Sequence, residues 1–316
     1  MRWRGVRPSD LPFQPQPATS ELDPVRISAR AKIEIASVHR VPQEHGLPDS
    51  TEKFVTLDHN QRVNGFLLLS ARIAPKMVHR SVERAAVIKG RLPKHLGAAV
   101  LTPVDTGTVN RRTYALYPIR RPPAEGRFAR RWQQLRFGGR ILDWLDDAVA
   151  ASAIPVTDQA KLRDYAALLR NFEADSRFPE DMRRAASRAV SAINSADWVP
   201  RVTVMHNDFW WGNVVFADPQ RSGGLGFQFI DWAGAEDQGY PVFDLVRMAK
   251  SLRLRNNALR RHLSNHAQAL DCDIRCCEYY LLGALANLGC KLEYFPEERY
   301  ISMCQEVWRQ FIDVLD

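Results

Sequence analysis

The segment MHNDFWWGN, residues 205–213, carries polar side chains at a spacing that is typical of a catalytic loop. His206 stands two positions before Asp208, and Asn213 stands five positions after it. Eighteen residues beyond Asn213 comes Asp231, directly behind the apolar run GFQFI. Phosphoryl transfer needs a carboxylate that accepts the proton of the attacking hydroxyl, and it needs oxygen ligands that hold Mg²⁺ against the phosphates. Asp208 fits the first role, and Asn213 and Asp231 fit the second.

Short apolar runs position these residues. The runs TVMHND, NVVFAD and GFQFID, between residues 202 and 231, have the length and composition of short strands. A loop that carries Asp208 and Asn213, beside a strand end that carries Asp231, can converge on one point. The pattern therefore predicts a site built on loops and strand ends.

The chain changes character near residue 120. Before it, EKFVTLD and GFLLLSARI predict a β-hairpin, VHRSVERAAVIKGRL predicts a helix, and VLTPVDTG and TYALYPI predict two strands around the turn VNRR. After the RRPP sequence the patterns are helical, with a glycine interruption in RFARRWQQLRFGGRILDWLDDAVAAS. We therefore predict a flexible Pro/Arg-rich arm over residues 1–29, a small β-rich lobe over 30–120 and a helical lobe over 121–316.

The motifs resemble those of a known family. Protein kinases carry H-R-D-x-x-x-x-N, and aminoglycoside phosphotransferase and choline kinase-like enzymes carry H-G-D-x-x-x-x-N, then an apolar strand and I-D-[WF]. This chain has HNDFWWGN, then FIDW, then GAEDQGYPVFDLVR, which is similar to the family's continuation. The resemblance is tight over residues 202–248. It implies an α+β, bilobal protein-kinase-like fold, with a small β-rich N-lobe and a larger helical C-lobe.

The resemblance also implies roles for residues in and near the loop. His206 would be a structural residue that orients the loop, and Asp244 would be a structural acid that braces the site. The enzyme would use Mg²⁺ and a nucleoside triphosphate, with ATP as the expected donor and GTP as the alternative. It would phosphorylate a hydroxyl of a small molecule such as an aminoglycoside, a sugar or an amino alcohol.

The phosphate-binding part of the pattern departs from the family. The family's third-strand lysine aligns with Ser70. We therefore expect Arg72, two residues on and on the same face of a strand, to contact the phosphates, with Lys76 as the alternative. Glu83 is the candidate acid on the following helix. The nucleotide loop lacks a full glycine-rich pattern, and Ser50 is its candidate hydroxyl donor.

Composition narrows the partners. The net charge of +8 is concentrated in residues 1–140, which suits a polyphosphate or a nucleic acid. The sequence has no RNA-binding signature, zinc finger or basic heptad, so we do not expect nucleic acid as the partner.

No apolar run approaches the roughly 20 residues that cross a bilayer, so we expect no membrane association. The five cysteines lie in segments of helical pattern, which favours a reducing cytoplasm. The oligomeric state is left open.

Two functions follow from the sequence. The first is an active small-molecule kinase. The second is a catalytically inactive, kinase-like nucleotide-binding or scaffold protein, which the missing third-strand lysine favours and the presence of Asp208, Asn213 and Asp231 opposes.

Overall fold

A computed structural model of the chain describes residues 16–17, 22–42, 51–292 and 295–315. The chain divides into two compact units, each assembled from separate segments. The sheet unit contains the residues up to Lys89, Ala98–Arg127 and Val214–Ala233. The helical unit contains Gly90–Gly97, Phe128–Asn213 and the residues from Gly234 onward.

An antiparallel sheet forms the centre of the sheet unit, with the spatial order β1-β2-β3-β4-β6-β5. Its strands are β1 (Gln16–Pro17), β2 (Ser37–Arg40), β3 (Glu52–Leu57), β4 (Val63–Leu69), β5 (Asp105–Val109) and β6 (Arg112–Pro118). Along β4 every second residue from Val63 to Leu69 is buried, because successive side chains point to opposite faces of a strand. Phe54, Leu67 and Leu116 lie in the core of this unit. The predicted β3–β4 hairpin is confirmed by its antiparallel register.

Helix α1 (Pro24–Ala31) shows that the predicted flexible arm extends too far along the chain. The Asp23 carboxylate accepts hydrogen bonds from the backbone of Val25 and Arg26, and Pro24 occupies the first helical turn. Both are helix-start signals. Leu22 and Ile27 are buried in the same core as the sheet. Apolar burial therefore orders residues that the proline-rich composition had suggested were flexible.

A second hairpin belongs to the sheet unit although it lies much later in the chain. Its strands are β9 (Val214–Phe216) and β10 (Phe227–Phe229). The Phe229 amide donates to the Ala99 carbonyl at 2.7 Å, and the Phe216 amide donates to the Arg121 carbonyl at 2.8 Å. These bonds explain why each unit is built from separate segments of the chain. The predicted single boundary near residue 120 would instead divide the chain into two continuous halves.

Most of the remaining chain is helical. The helices beyond α1 are α2 (Met77–Arg91), α3 (Lys94–Gly97), α4 (Arg127–Ser152), α5 (Gln159–Ala174), α6 (Glu180–Asn194), α7 (Phe243–Leu252), α8 (Asn256–Ala269), α9 (Cys277–Gly289) and α10 (Glu297–Leu315). Short strands β7 (Ile154–Pro155), β8 (Arg201–Met205) and β11 (Glu236–Gly239) form a small sheet in the order β11-β8-β7. Helix α4 continues through the two glycines that we expected to interrupt it, and Gly138 is buried against Leu252.

The predicted α+β fold class is confirmed by the antiparallel sheet unit and the helical unit. Aromatic side chains fill the helical core, where Tyr165 stacks on Tyr240 with ring centroids 4.2 Å apart. Within the described ranges, no helix is both long and apolar enough to cross a membrane.

Candidate active site

The HND segment leaves β8 in a turn that only certain residues accept. Asn207 has φ of +65°, in the left-handed region that favours glycine and tolerates asparagine. Its side-chain amide donates to the Gly234 carbonyl at 2.9 Å. The family motif that this segment resembles has glycine at this position, and the left-handed backbone conformation accommodates either glycine or asparagine.

A buried carboxylate holds this turn. Asp244, in the first turn of α7, is 2% exposed. It accepts hydrogen bonds from the backbone amides of His206, at 2.6 Å, and Asn207, at 3.0 Å. Burial raises the pKa of Asp244, and the nearby His206 and these two hydrogen bonds oppose the rise. His206 is also buried, and its Nδ1 accepts from the Asp208 amide at 3.3 Å. The structure therefore places His206 and Asp244 where they fix the loop's backbone.

Asp208 is the half-exposed carboxylate of this loop, with 46% of its side chain accessible. Its Oδ2 accepts from Asn213 Nδ2 at 3.0 Å, and its Oδ1 accepts from Arg247 Nη2 at 3.0 Å. Asn213 Nδ2 also donates to the Asp208 carbonyl at 2.9 Å. Two donors thus fix the carboxylate, and the Asn213 Oδ1 atom has no hydrogen-bond partner among the residues that the structure describes.

Arg247 is a site residue that the sequence reasoning missed. It lies on α7, three residues after Asp244, and its guanidinium is 5.9 Å from the Phe243 ring centroid. Its buried Nε has no hydrogen-bond partner among the described residues. The spacing from Asp244 could have identified it. Residues three apart on a helix share a face, so an arginine three residues after Asp244 lies close to the loop that Asp244 holds.

A cavity of about 430 Å³ lies in the helical unit beside Arg247. Its other walls come from the N-terminal half of α10 and the residue Phe295 that precedes it. The lining side chains combine both charges with one aromatic ring, and they are Arg247, Phe295, Glu298, Arg299, Ser302, Met303 and Glu306.

Asp231 belongs to the sheet unit, two residues beyond β10. It is exposed and has φ of +65°. The Trp232 indole donates to the Phe229 carbonyl at 3.0 Å and closes this turn. Burial, together with the negative charge of Asp231, raises the pKa of Tyr117 on β6 to about 12. The structure therefore places the Asp231 carboxylate near Tyr117, at the C-terminal end of strand β6.

Helix α2 turns an arginine, rather than the predicted acid, toward the segment after Asp231. The Arg84 guanidinium donates to the Ala233 carbonyl. Glu83, the predicted acid, is 62% exposed and lies 3.0 Å from His79 on the same helix. Sequence could not separate these neighbours, because the face that α2 presents depends on its packing.

The predicted phosphate contacts lie beyond the strand. β4 ends at Leu69, so Arg72 lies in a bend and not on the strand face that we expected. Lys76 is exposed in the turn before α2. Ser70, at the family's lysine position, is fully buried, and its Oγ lies 2.7 Å from Thr113 Oγ1. Ser50 lies outside the described residues.

No protein-family model and no curated protein sequence matches the chain. Several solved structures are similar to it. Choline kinase LicA from Streptococcus pneumoniae is 13% identical, with 92% of this chain and 97% of that chain covered and a TM-score of 0.49. Plasmodium vivax ethanolamine kinase is 12% identical, with 87% and 81% covered and a TM-score of 0.47. An aminoglycoside-3'-phosphotransferase of type VIII is 16% identical, with 82% and 97% covered and a TM-score of 0.42. By their names, these three proteins belong to the group of kinases and phosphotransferases that the loop motif resembles.

Proposed function

We propose that this protein is a kinase that transfers the γ-phosphoryl group of a nucleoside triphosphate to a hydroxyl of a small molecule. The observation that carries the proposal is the half-exposed Asp208 carboxylate, fixed by Asn213 and Arg247. The loop that carries it is itself braced by the buried Asp244. Partial exposure leaves the carboxylate accessible to an acceptor hydroxyl.

Asp208 acts as the general base in this proposal. The acceptor hydroxyl gives its proton to the Asp208 carboxylate while the hydroxyl oxygen forms a bond to the γ-phosphorus. The bond between the γ-phosphorus and the β,γ-bridging oxygen breaks, and the nucleoside diphosphate leaves. Donors on both carboxylate oxygens orient Asp208, and orientation is a large part of what an enzyme supplies in phosphoryl transfer.

Asn213 and Asp231 are the proposed Mg²⁺ ligands. The amide nitrogen of Asn213 is occupied by Asp208, so its oxygen is the atom offered, and Asp231 offers an exposed carboxylate. Oxygen donors suit this hard cation. When bound, Mg²⁺ neutralises charge on the phosphates. Arg72 remains our proposed phosphate contact, with Lys76 as the alternative.

We propose the cavity beside Arg247 as the acceptor site. Its volume of about 430 Å³ suits a small metabolite. The ring of Phe295 and the carboxylate of Glu298 are the proposed contacts for an amino alcohol or amino sugar, since the Glu306 carboxylate is already paired with Lys250. We further propose a cytoplasmic enzyme, which the free cysteines among the described residues support.

The alternative is a catalytically inactive nucleotide-binding or scaffold protein. The observation in its favour is Ser70, which occupies the lysine position and is buried in hydrogen bonds within its own unit. A side chain used in this way supplies no charge to a phosphate.

One assay separates the two functions. Purified protein is incubated with Mg·ATP and a panel of hydroxylated metabolites and aminoglycosides, and nucleoside diphosphate release is followed against an Asp208→Asn control. Acceptor-dependent release that the control lacks supports the kinase. Saturable Mg·ATP binding without release for any acceptor would support the scaffold instead.

A further inference from the structure

A second cluster of polar side chains lies between α4 and α8, apart from the residues assigned above. Asp143 and Asp146 are three residues apart on α4, and His262 and His266 are four residues apart on α8. Each spacing places both side chains on one face of its helix. Two helices therefore present a pair of carboxylates and a pair of imidazoles to each other.

The donor atoms are already close. His262 Nδ1 is 2.7 Å from Asp146 Oδ2, and His266 Nε2 is 3.2 Å from Asp146 Oδ1. One ligand atom each from Asp143, Asp146 and His262 lie within 4.8 Å of one another. Ligands about 2.0–2.2 Å from a tetrahedral metal ion are spaced about 3.3–3.6 Å apart, so these three residues need only small side-chain shifts. His266 lies outside this group of three and would reach the ion from its present position beside Asp146.

Burial and unmet hydrogen bonding add an independent observation. Both histidine side chains are 1% exposed. His266 Nε2 and Asp146 Oδ1 are close but not aligned for a hydrogen bond, and within the described ranges neither atom, nor His266 Nδ1, has another hydrogen-bond partner. A buried polar atom left unpaired destabilises the fold. A bound cation between Asp146 and His266 would satisfy two of these atoms.

The surroundings distinguish this cluster from an exposed acidic patch. Asn265 Nδ2 donates to Asp146 Oδ2 at 2.6 Å, which holds the carboxylate in place. Such a bond to a ligating carboxylate is the usual support around a metal site. Asp143 is exposed, so an ion can enter from solvent at that side.

We propose that Asp143, Asp146, His262 and His266 bind a divalent transition metal ion of the zinc type. Imidazole nitrogens combined with carboxylate oxygens suit Zn²⁺ and Co²⁺, whereas Mg²⁺ prefers oxygen ligands and bound water. The site is separate from the proposed Mg²⁺ ligands. It would join α4 to α8 within the helical unit.

The charge of Arg261 disfavours metal binding at His262, and this allows a direct test of the site. Its guanidinium lies 3.2 Å from His262 Nε2. A guanidinium can only donate, so Nε2 is the acceptor and Nδ1 carries the proton that faces Asp146. Metal binding at Nδ1 moves that proton to Nε2 and turns the exposed Arg261 away. Removing the Arg261 charge therefore favours the metal-bound form.

The experiment titrates chelator-treated full-length protein with Zn²⁺ by calorimetry and with Co²⁺ by visible absorption. We expect one ion per chain, the absorption of four-coordinate Co²⁺, and a higher melting temperature with Zn²⁺. Asp143→Asn should weaken binding by about tenfold or more, and Arg261→Gln should strengthen it. Both side chains are exposed, so neither change threatens folding. Asp164→Asn, an exposed acid on α5, is the matched control and should bind like the parent.

The outcomes are decisive in either direction. Opposite shifts for Asp143→Asn and Arg261→Gln support the site. Absence of binding, or binding that none of the three variants alters, overturns it. In the second case the ion would lie elsewhere, for example at the cysteines near residue 276, and the cluster would be a hydrogen-bond network that joins the two helices.

Discussion

Replacing Asp208 by asparagine tests the proposed base most directly, because the side chain keeps its size and loses its negative charge. In the parent protein both carboxylate oxygens accept hydrogen bonds, one from Asn213 and one from Arg247. An amide has a single oxygen, so the nitrogen of the substituted side chain must face one of these donors. One of the two hydrogen bonds is therefore lost.

The cost in stability should be small. The Asp208 side chain is 46% exposed and that of Arg247 is 25% exposed, so water screens their ion pair. Exposed pairs of this kind contribute about 0.2–1 kcal/mol. The cost in rate should be much larger, because a general base typically contributes about 10²–10⁴-fold. A slow but stably folded variant is the expected result.

Arg247→Gln is the matched comparison, since it keeps the base and removes one of the groups that orient it. We expect a rate loss of up to about 10²-fold from misplacement of the carboxylate. Both variants should bind Mg·ATP nearly as well as the parent. Asn213→Ala should differ from both, because it removes a proposed metal ligand and should lower nucleotide affinity as well as rate.

The assay pairs calorimetric titration of Mg·ATP with single-turnover phosphoryl transfer to whichever acceptor the screen identifies. Near-parental transfer by Asp208→Asn would refute its role as the base. Equal loss of nucleotide binding in Asp208→Asn and Asn213→Ala would show that Asp208 maintains the loop, and the scaffold function would gain support.

Substitutions at three further positions test other parts of the structure. Asp231→Asn should weaken Mg²⁺-dependent ATP binding, as calorimetry would show; unchanged binding would remove Asp231 from the metal site. Asn207→Gly should retain the left-handed turn, whereas Asn207→Ala should destabilise the fold by about 1–2 kcal/mol in urea unfolding; equal stabilities would contradict the strain argument. Burial raises the folded-state pKa of Asp244 above its unfolded value near 3.8, so the folded state takes up that proton first. As pH falls between these two pKa values, the parent should therefore gain stability relative to Asp244→Asn, and a relative loss in pH-dependent urea unfolding would reverse the assigned shift.

The candidate catalytic loop was predictable because its residues are close in sequence. The spacing of His206, Asp208 and Asn213 places them in one short loop, and Asp244 lies in the stretch that continues the family pattern. Arg84 was not predictable, because it is far in sequence from the Ala233 carbonyl to which it donates. Only the packing of α2 decides that Arg84, rather than its neighbour Glu83, meets this segment.

The sheet was predicted well where alternation is strict, as in β4, and poorly where composition was used alone. The proline-rich start of the chain suggested flexibility, yet Asp23 and Pro24 begin a helix whose Ile27 side chain is buried. The position of Arg72 was wrong for a related reason. If the strand had continued, Arg72 would lie on the same face as Ser70, two residues before it. Strand β4 ends at Leu69, and the alternation of side chains between the two faces of a sheet applies only within a strand.

The absent third-strand lysine bears directly on activity, and Arg112 does not replace it. Arg112 is 5% exposed, donates through Nε to the Ser70 carbonyl at 2.7 Å, and forms an ion pair with Glu52. A phosphate could recruit this guanidinium only by breaking a largely buried pair, which costs about 3–5 kcal/mol. Any cation that meets the phosphates must therefore come from a more exposed position. Arg72 and Lys76 are both exposed within seven residues of Ser70. Neutralising each in turn, with Arg112→Met as a stability control, tests whether either one supplies the phosphate contact that the lysine makes in the family that the sequence resembles. Loss of ATP affinity only in Arg112→Met would place the phosphates at the buried pair and contradict this reasoning.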